Sequence, residues 1–226
     1  FSLLGWMFLP VMDGFAKYLS DDLPILQITW ARYFFTVAFV LPIMLLFYKK
    51  RLVWSDKPKL QIFRGLILLS ANICFFYAIS VISLAKALTL AFIAPLIVTA
   101  FSPILLGEKV GFRRWTAVAV GFIGSLIVIR PGFLEFNLAS MAALATGFFY
   151  GFYLIITRKL STSDNPLLTL LITGMVGALL VSLIIPFYWV KPSLNQWSLM
   201  AGIGVFACIG HLFLILSLKY STTSFT

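Results

Sequence analysis

The chain has 226 residues, of which 62% are hydrophobic and only 11% are charged. Soluble domains are closer to half apolar and a quarter charged, so this composition excludes an ordinary soluble domain and predicts a membrane protein. The net charge of +10 does not predict a nucleic-acid partner, because the cations lie in short segments between apolar runs rather than in a patch on a polar surface. Cys74 and Cys208 lie inside apolar runs without disulfide or metal-ligand spacing, so no metal or other cofactor is expected.

Eight apolar segments follow one another along the chain. A bilayer core about 30 Å thick takes about 20 apolar residues as a helix, and these runs are continuous rather than alternating with a period of two, which excludes a barrel. The predicted transmembrane helices lie near residues 1–19, 25–48, 61–80, 86–106, 114–131, 138–158, 166–190 and 197–218. The predicted fold is therefore an all-α polytopic membrane protein.

Every second loop between these helices is rich in cations. The basic loops contain Lys49, Lys50, Arg51, Lys57 and Lys59, then Lys109, Arg113 and Arg114, then Arg158 and Lys159. Because basic loops stay on the cytoplasmic side, we expect a multi-pass protein of the cell (inner) membrane with a cytoplasmic N-terminus. The cations after the fourth helix then anchor a cytoplasmic hairpin, and phosphate binding is the alternative interpretation of that cluster.

The chain contains a weak internal repeat. The segment "AKYLSDDLPILQ" (16–27) aligns with "RKLSTSDNPLLT" (158–169) at a constant offset of 142, which matches a lysine, an aspartate and a proline in each copy. The first loop lies outside and the second inside in the predicted topology, and five helices separate the two copies. The pattern predicts two halves of inverted orientation, as transporters often have.

Small residues and prolines within the runs predict how the helices pack. Gly147 and Gly151 are spaced by four residues, which lets a neighbouring helix approach closely. Pro95 and Pro103 interrupt the fourth predicted helix, either as a bending point for access or as static kinks.

Several segments in order carry a resemblance to a known family. They are Lys17 and Pro24 around the first outside turn, Arg32, "RGLILL" (64–69), "FYAISVISLAKALTL" (76–90), "APLIVTAFSPILLGEKV" (94–110) and "VGFIGSLIVIRPG" (120–132). The chain resembles the drug/metabolite transporter superfamily, in particular its EamA-type permeases, over essentially its whole length. Within the family it is most similar to bacterial amino-acid or S-adenosylmethionine-type permeases.

The resemblance implies two inverted five-helix repeats, the first over residues 1–131 and the second over 138–226. Ten helices are then expected, of which eight are present here. We therefore expect a fragment that lacks the last two helices, and a native eight-helix protein is the alternative.

Two polar residues at the middle of predicted helices are candidate substrate-binding residues. Asn72 and His211 superpose at an offset of 139, and polar side chains at the bilayer midplane are costly unless they face a cavity or a partner helix. An interhelical hydrogen bond is the alternative role for the histidine. Tyr77 and Tyr150 are predicted to complete an aromatic lining with a few polar handles.

Four charged residues are candidates for gating or coupling. Asp13 and Lys17 lie one turn apart on one face of the first helix. They form either a self-neutralising pair near the outer interface, with Lys17 extending outward, or a gate or proton-coupling carboxylate. Arg32 either holds a carbonyl or carboxylate of an outer loop, such as Asp21 or Asp22, or attracts an anionic substrate group. Glu108 ends the fourth helix, where an acid is unfavourable with the helix dipole, and is a candidate latch of an inner gate.

The predicted function is that of a secondary transporter of small metabolites such as amino acids or related compounds. Alternating access would place the substrate at the repeat interface, and a proton is a candidate coupling ion through Asp13 or His211. A non-transporting receptor or scaffold is the main alternative. An intramembrane enzyme is less consistent with the sequence, because a single histidine excludes a zinc motif of the H-E-x-x-H type. The sequence does not indicate the oligomeric state.

Overall fold

The computed structural model of the chain describes residues 1–47, 55–107, 110–129, 137–161 and 163–220. These ranges contain α-helices and no β-strand. The helices are α1 (Ser2–Leu19), α2 (Ile25–Phe47), α3 (Pro58–Val81), α4 (Leu84–Ala91), α5 (Ile93–Leu106), α6 (Phe112–Ile129), α7 (Leu138–Ser161), α8 (Pro166–Ile184) and α9 (Leu194–Tyr220), and a short 3-10 turn over Ile185–Tyr188 extends α8. The predicted helix positions are thus confirmed to within a few residues, apart from the fourth.

Within the described residues, six helical segments are long and apolar enough to cross a bilayer. They are Ile25–Leu46, Pro58–Val81, Leu84–Leu106, Leu138–Ser161, Pro166–Tyr188 and Leu194–Tyr220. Since a helix satisfies its own backbone in lipid, the chain is an all-α polytopic membrane protein.

The fourth predicted helix is two helices, α4 and α5, which meet at Phe92. Pro95 has no N–H to donate to the carbonyl four residues earlier, that of Ala91, and its ring crowds that position. The helix is therefore interrupted at this point. Pro103 remains inside α5, so the predicted interruption is confirmed for one proline and is wrong for the other.

The carbonyl that Pro95 leaves free faces a glycine of α7. A Cβ atom added at Gly147 would lie 2.5 Å from the oxygen of Ala91 and 2.4 Å from Cγ2 of Ile93. One turn further along, a Cβ at Gly151 would lie 2.8 Å from Ile97. The predicted close approach at these two glycines is confirmed, and it brings α7 directly against the helix break.

Helices from the two ends of the chain pack on each other. The main pairings are α1 with α9, α3 with α7, and α2 with α8, followed by α2 with α9 and α3 with α8. The largest apolar cluster joins α1, α2, α3, α7 and α9, and its buried side chains include Leu19, Ile28, Ile79, Met200 and Ile203. This arrangement places the facing surfaces of α2, α3, α7, α8 and α9 around a common centre.

Candidate substrate site at the centre of the helix bundle

A small cavity lies where α2, α3, α7, α8 and α9 meet. Its lining combines charged, polar and apolar side chains: Arg32, Tyr33, Thr36, Leu68, Tyr153, Leu170, Thr173, Gly174, Ala207 and His211. The volume open to the centre of a water molecule is about 10 Å³, which is room for about one water. The lining is mostly apolar, and the guanidinium of Arg32 and the imidazole of His211 enter it from α2 and α9.

Arg32 is a buried cation with few partners. It is 3% exposed, and its Nη2 lies 3.3 Å from Nε2 of His211, a long hydrogen bond. Its Cζ lies 4.8 Å from the centre of the Tyr33 ring, which provides a cation–π contact. Its Nε has no hydrogen-bond partner among the described residues. A charge in this position is costly and usually functional.

The hydrogen bonds of His211 determine its protonation. Its Nδ1 lies 3.1 Å from the carbonyl oxygen of Ala207, and a carbonyl can only accept, so Nδ1 carries the proton. Arginine can only donate, so Nε2 of the ring accepts from Arg32. The two contacts together require a neutral imidazole, which orients the guanidinium without adding charge. His211 therefore combines a cavity-lining position with the interhelical hydrogen bond that was its alternative role.

Asp13 is buried on α1, at 6% exposure. Its carboxylate interacts electrostatically with Arg32, but within the described chain it lies beyond the 4.0 Å limit of an ion pair and accepts no hydrogen bond. Lys17, one turn along, is half-buried and forms no ion pair with Asp13 in this structure. The predicted self-neutralising pair is therefore wrong. A lysine near the helix end keeps its ammonium hydrated by extending outward, which a buried pair would prevent.

The alternative predicted for Arg32, a hold on an outer-loop carboxylate, is also wrong. Asp22 accepts a hydrogen bond of 3.1 Å from Nε2 of Gln196 at the start of α9, and Asp21 is exposed. Arg32 lies about two turns inside α2 and faces His211 rather than this loop.

The aromatic part of the site comes mainly from α7. The rings of Tyr150 and Tyr153 stack with centres 5.5 Å apart, and the Tyr153 ring is 6.0 Å from the ring of His211. The hydroxyl of Tyr150 is buried and has no partner among the described residues. A second unsatisfied polar group thus lies beside the cavity.

Asn72 does not line the cavity but contacts Tyr33, which does. Its Nδ2 donates to the hydroxyl of Tyr33 at 2.6 Å and to the carbonyl of Leu68 at 2.7 Å. It therefore positions a lining residue rather than lining the cavity itself. Tyr77, by contrast, packs against the largest apolar cluster and is not brought to the cavity. Glu108 lies outside the described residues.

A second buried arginine, Arg64 of α3, is fully satisfied at its two terminal nitrogens. One donates to Oγ1 of Thr157 at 3.1 Å and to the hydroxyl of Tyr153 at 3.5 Å. The other donates to the carbonyl of Thr169 at 2.6 Å and to the hydroxyl of Thr173. Arg64 thus connects α3 to both α7 and α8 directly beside the cavity.

Polar links close the bundle at both ends. At one end, which we call the Asp164 cluster, Oδ2 of Asp164 accepts hydrogen bonds of 2.5 Å from Oγ of Ser55 and 2.5 Å from Nε2 of Gln61. The Gln61 amide also donates to Oγ1 of Thr169 at 3.0 Å. At the other end, the side chain of Gln27 donates to the backbone oxygen of Val190 at 2.8 Å and accepts from its backbone N–H at 3.0 Å.

Comparison with known proteins identifies the family. Residues 2–130 match the model of the EamA-like transporter family. The chain belongs to this family. The resemblance found in the sequence is confirmed, and the family is one of transporters rather than enzymes.

Curated relatives of this EamA-type chain carry transporter names. It is 26% identical over 221 residues to the S-adenosylmethionine uptake transporter of Rickettsia bellii (strain RML369-C), covering 96% of this chain and 75% of that protein. It is 27% identical over 221 residues to the pseudopaline exporter CntI of Pseudomonas aeruginosa (strain UCBPP-PA14), covering 95% and 75%. The riboflavin transporter of Vibrio cholerae serotype O1 is 35% identical over 134 residues, covering 56% and 43%.

A crystal structure also has the same fold. It superposes with a TM-score of 0.75 at 18% identity, covering 96% of this chain and 78% of that chain. At this level of identity the likeness extends to the fold alone.

Sequence reasoning missed several residues of this EamA-type site. Arg64 was not predicted as a site residue, because the third helix was expected to begin near residue 61, which places the arginine at the membrane surface. The helix begins at Pro58, so Arg64 lies about 9 Å along its axis and is fully buried. Asp164 was noticed only as a repeat match. The signal that would have found Arg64 is a single charged residue close to the start of a long apolar run.

Proposed function

We propose that this chain is part of a secondary transporter that moves small metabolites, such as amino acids or related compounds, across the cell (inner) membrane by alternating access. The observation that carries the proposal is the central cavity, where a buried cation and a neutral histidine face each other between helices from opposite ends of the chain. Buried charge at such depth is usually functional. The names of the relatives, which cover S-adenosylmethionine, pseudopaline and riboflavin, support a small metabolite as the substrate.

We further propose that the chain consists of two inverted repeats, residues 1–131 and 138–226, with eight membrane-spanning helices of an expected ten and a cytoplasmic N-terminus. Helix packing supports this arrangement. If α1, α2 and α3 correspond to α7, α8 and α9, the pairing of α1 with α9 maps onto α7 with α3, and that of α2 with α9 maps onto α8 with α3. The pairing of α2 with α8 maps onto itself. A pseudo-two-fold axis between inverted repeats generates this set of pairings.

The same correspondence relates two hydrogen bonds at opposite ends of the bundle. Asp164, in the loop after α7, accepts from Gln61 in the first turn of α3. Asp22, in the loop after α1, accepts from Gln196 in the first turn of α9. In each case an aspartate of one repeat is held by a glutamine of the other. We infer that these bonds are the inner and outer latches, which open alternately.

Substrate binding requires one latch to open. Metabolite pockets have volumes of about 300–1,000 Å³, whereas this cavity has room for about one water. Arg32, Tyr153 and His211 would contact the substrate, while Asn72 and Tyr150 would support the wall. Asp13 is the candidate for coupling to a proton, and Lys17 and Glu108 for gating at the two surfaces.

The test is exchange of labelled metabolites by the purified protein in liposomes, with a panel of L-amino acids, S-adenosylmethionine and riboflavin. His211→Ala removes a lining residue and Asn72→Ala releases the ring of Tyr33, so each should lower exchange about 10-fold or more, as expected for loss of buried hydrogen bonds. Asn195→Ala, at an exposed site, is the control. Exchange unaffected by the first two changes would remove the site assignment, and no exchange of any compound would remove the function.

A further inference from the structure

Two buried residues of opposite charge lie near the central cavity but are not paired: Arg32, which lines the cavity, and Asp13 of α1, which does not. The guanidinium of Arg32 and the carboxylate of Asp13 are both buried and interact electrostatically. Their nitrogen and oxygen atoms nevertheless lie beyond the 4.0 Å limit of an ion pair. Asp13 accepts no hydrogen bond from any described residue, and Nε of Arg32 has no partner among them either.

Arg64 shows what a structural arginine looks like in this bundle. Its Nε, like that of Arg32, has no partner among the described residues. Its terminal nitrogens, however, donate to a carbonyl and three hydroxyl groups, on Tyr153, Thr157, Thr169 and Thr173. Arg32 has one long bond to a neutral ring instead. Since a buried charge is tolerated only when its hydrogen-bonding capacity is met, the open capacity of Arg32 and Asp13 indicates a ligand rather than a packing role.

We propose that Arg32 and Asp13 form a subsite for a zwitterion, in which Arg32 binds the carboxylate and Asp13 binds the ammonium group of an amino-acid-type substrate. The proposal rests on the transport function and central site proposed above. Arginine suits the carboxylate because its planar fork donates two parallel hydrogen bonds. An α-amino acid carries both charges on one carbon, so a single small group can contact two opposite charges that do not contact each other.

Neighbouring groups prepare the subsite for this ligand. His211 accepts from Nη2 of Arg32 and the Tyr33 ring lies against the guanidinium, so the fork is held in one orientation. The unpartnered hydroxyl of Tyr150 interacts electrostatically with Asp13 and offers a further hydrogen bond. A neutral ligand without either charge would leave both buried ions unpaired, so it should be disfavoured.

The experiment compares matched compounds that differ by one charge. L-phenylalanine is paired with phenethylamine, which lacks the carboxylate, and with hydrocinnamate, which lacks the ammonium group. S-adenosylmethionine is paired with its decarboxylated form, and riboflavin serves as a ligand without a zwitterionic group. Two readouts are measured for each: exchange in liposomes, and the shift in melting temperature of the detergent-solubilised protein. Zwitterions should bind about 10–100-fold more tightly than their analogues, as expected for one charge-assisted contact.

Variants then test each charge separately. Arg32→Gln should abolish the preference for a carboxylate, so that phenethylamine binds as well as L-phenylalanine, and Arg32→Lys should retain part of that preference. Asp13→Asn should abolish the preference for an ammonium group, so that hydrocinnamate binds as well as L-phenylalanine. Arg113→Gln and Asp21→Asn make the same chemical changes at exposed sites and should leave both preferences unchanged. A change of preference, unlike a loss of activity, does not arise from misfolding.

The outcomes separate the two proposals. Binding of zwitterions without exchange would retain the subsite and remove the transport function. Exchange of riboflavin alone, or of zwitterions and their analogues equally well, would retain transport and overturn the subsite. Unchanged preferences in Arg32→Gln and Asp13→Asn would overturn it as well, and the absence of both binding and exchange for every compound would overturn both proposals.

Discussion

The packing of α8 on α2 predicts that Gly177→Ala destabilises the protein through the cavity wall. A Cβ atom added at Gly177 would lie 2.3 Å from Cγ of the Tyr33 ring and 2.4 Å from its Cδ1. Favourable carbon contacts lie at about 3.5–4.0 Å, so the ring would have to move by roughly 1.2 Å or more. Tyr33 is 2% exposed, and its hydroxyl is held by Asn72 at 2.6 Å, so this movement also strains a buried hydrogen bond.

The size of the effect follows from these contacts. Overpacking of a dense core costs about 1–3 kcal/mol, and loss of the Asn72 bond adds about 0.5–1.5 kcal/mol. Replacing glycine by alanine within a helix stabilises the folded state by about 0.5–1 kcal/mol, which offsets part of this loss. We therefore expect Gly177→Ala to lower the free energy of unfolding by about 0.5–4 kcal/mol. The measurement is SDS-induced unfolding in mixed micelles, followed by circular dichroism.

Gly14→Ala is the matched control, because nothing lies within 4 Å of a Cβ atom added there. It should be neutral or slightly stabilising. A second change at Tyr33, to alanine, opens space for the new methyl group, so the two changes should be less destabilising together than the sum of their separate effects. If Gly177→Ala is as stable as Gly14→Ala, or if its effect simply adds to that of Tyr33→Ala, the proposed clash with the ring is refuted.

Three further changes test other contacts by the same unfolding assay. Asp164→Asn weakens two buried charge-assisted hydrogen bonds and should lower the free energy of unfolding by about 1–3 kcal/mol. Asp22→Asn, at the exposed counterpart, should lower it by less than about 1 kcal/mol. Equal losses would refute the expectation that burial strengthens the Asp164 contacts. Gln27→Leu leaves the backbone N–H and carbonyl of Val190 without their side-chain partner. It should lower the free energy of unfolding by about 1–2 kcal/mol, as expected for the loss of two hydrogen bonds at a partly hydrated end of the bundle. An unchanged stability would show that water replaces both hydrogen bonds. Gly147→Ala should cost about 2 kcal/mol or more, because a backbone oxygen 2.5 Å from the new atom cannot rotate away; a neutral result would mean that the helix break shifts freely.

The positions of the helices could be predicted from the sequence because a membrane imposes one strong rule. A segment that crosses lipid must be apolar over about 20 residues, so charges mark the boundaries without any knowledge of tertiary contacts. An interruption near Phe92 could also be predicted from the sequence, because Pro95 has no N–H to donate to the carbonyl of Ala91. The sequence did not show which proline would break the helix, because both lack an N–H donor, yet the helix continues through Pro103 in α5.

The site was only partly predictable. Arg32 and His211 stood out as polar residues in apolar runs, and the structure brings them together although 179 positions separate them in the chain. The partner of Arg32 was not predictable, because the sequence suggested nearby groups of the outer loop, whereas the contact comes from His211 on another helix. Tyr77 was misplaced for a related reason: an aromatic residue fits a cavity wall and an apolar core equally well, and only packing decides between them.

The partners of Arg64 have a consequence for how the protein is made. The threonines that satisfy its guanidinium follow it by 93, 105 and 109 positions, on α7 and α8. At synthesis rates of about 5–20 residues per second, α3 leaves the ribosome about 5–20 s before those helices exist. During that interval the guanidinium has none of these partners, so the lowest-cost position for α3 is a shallow one, with the arginine extended toward the headgroups. We therefore expect α3 to reach its final depth only after α7 and α8 arrive, so that its insertion is a late step that depends on sequence far downstream.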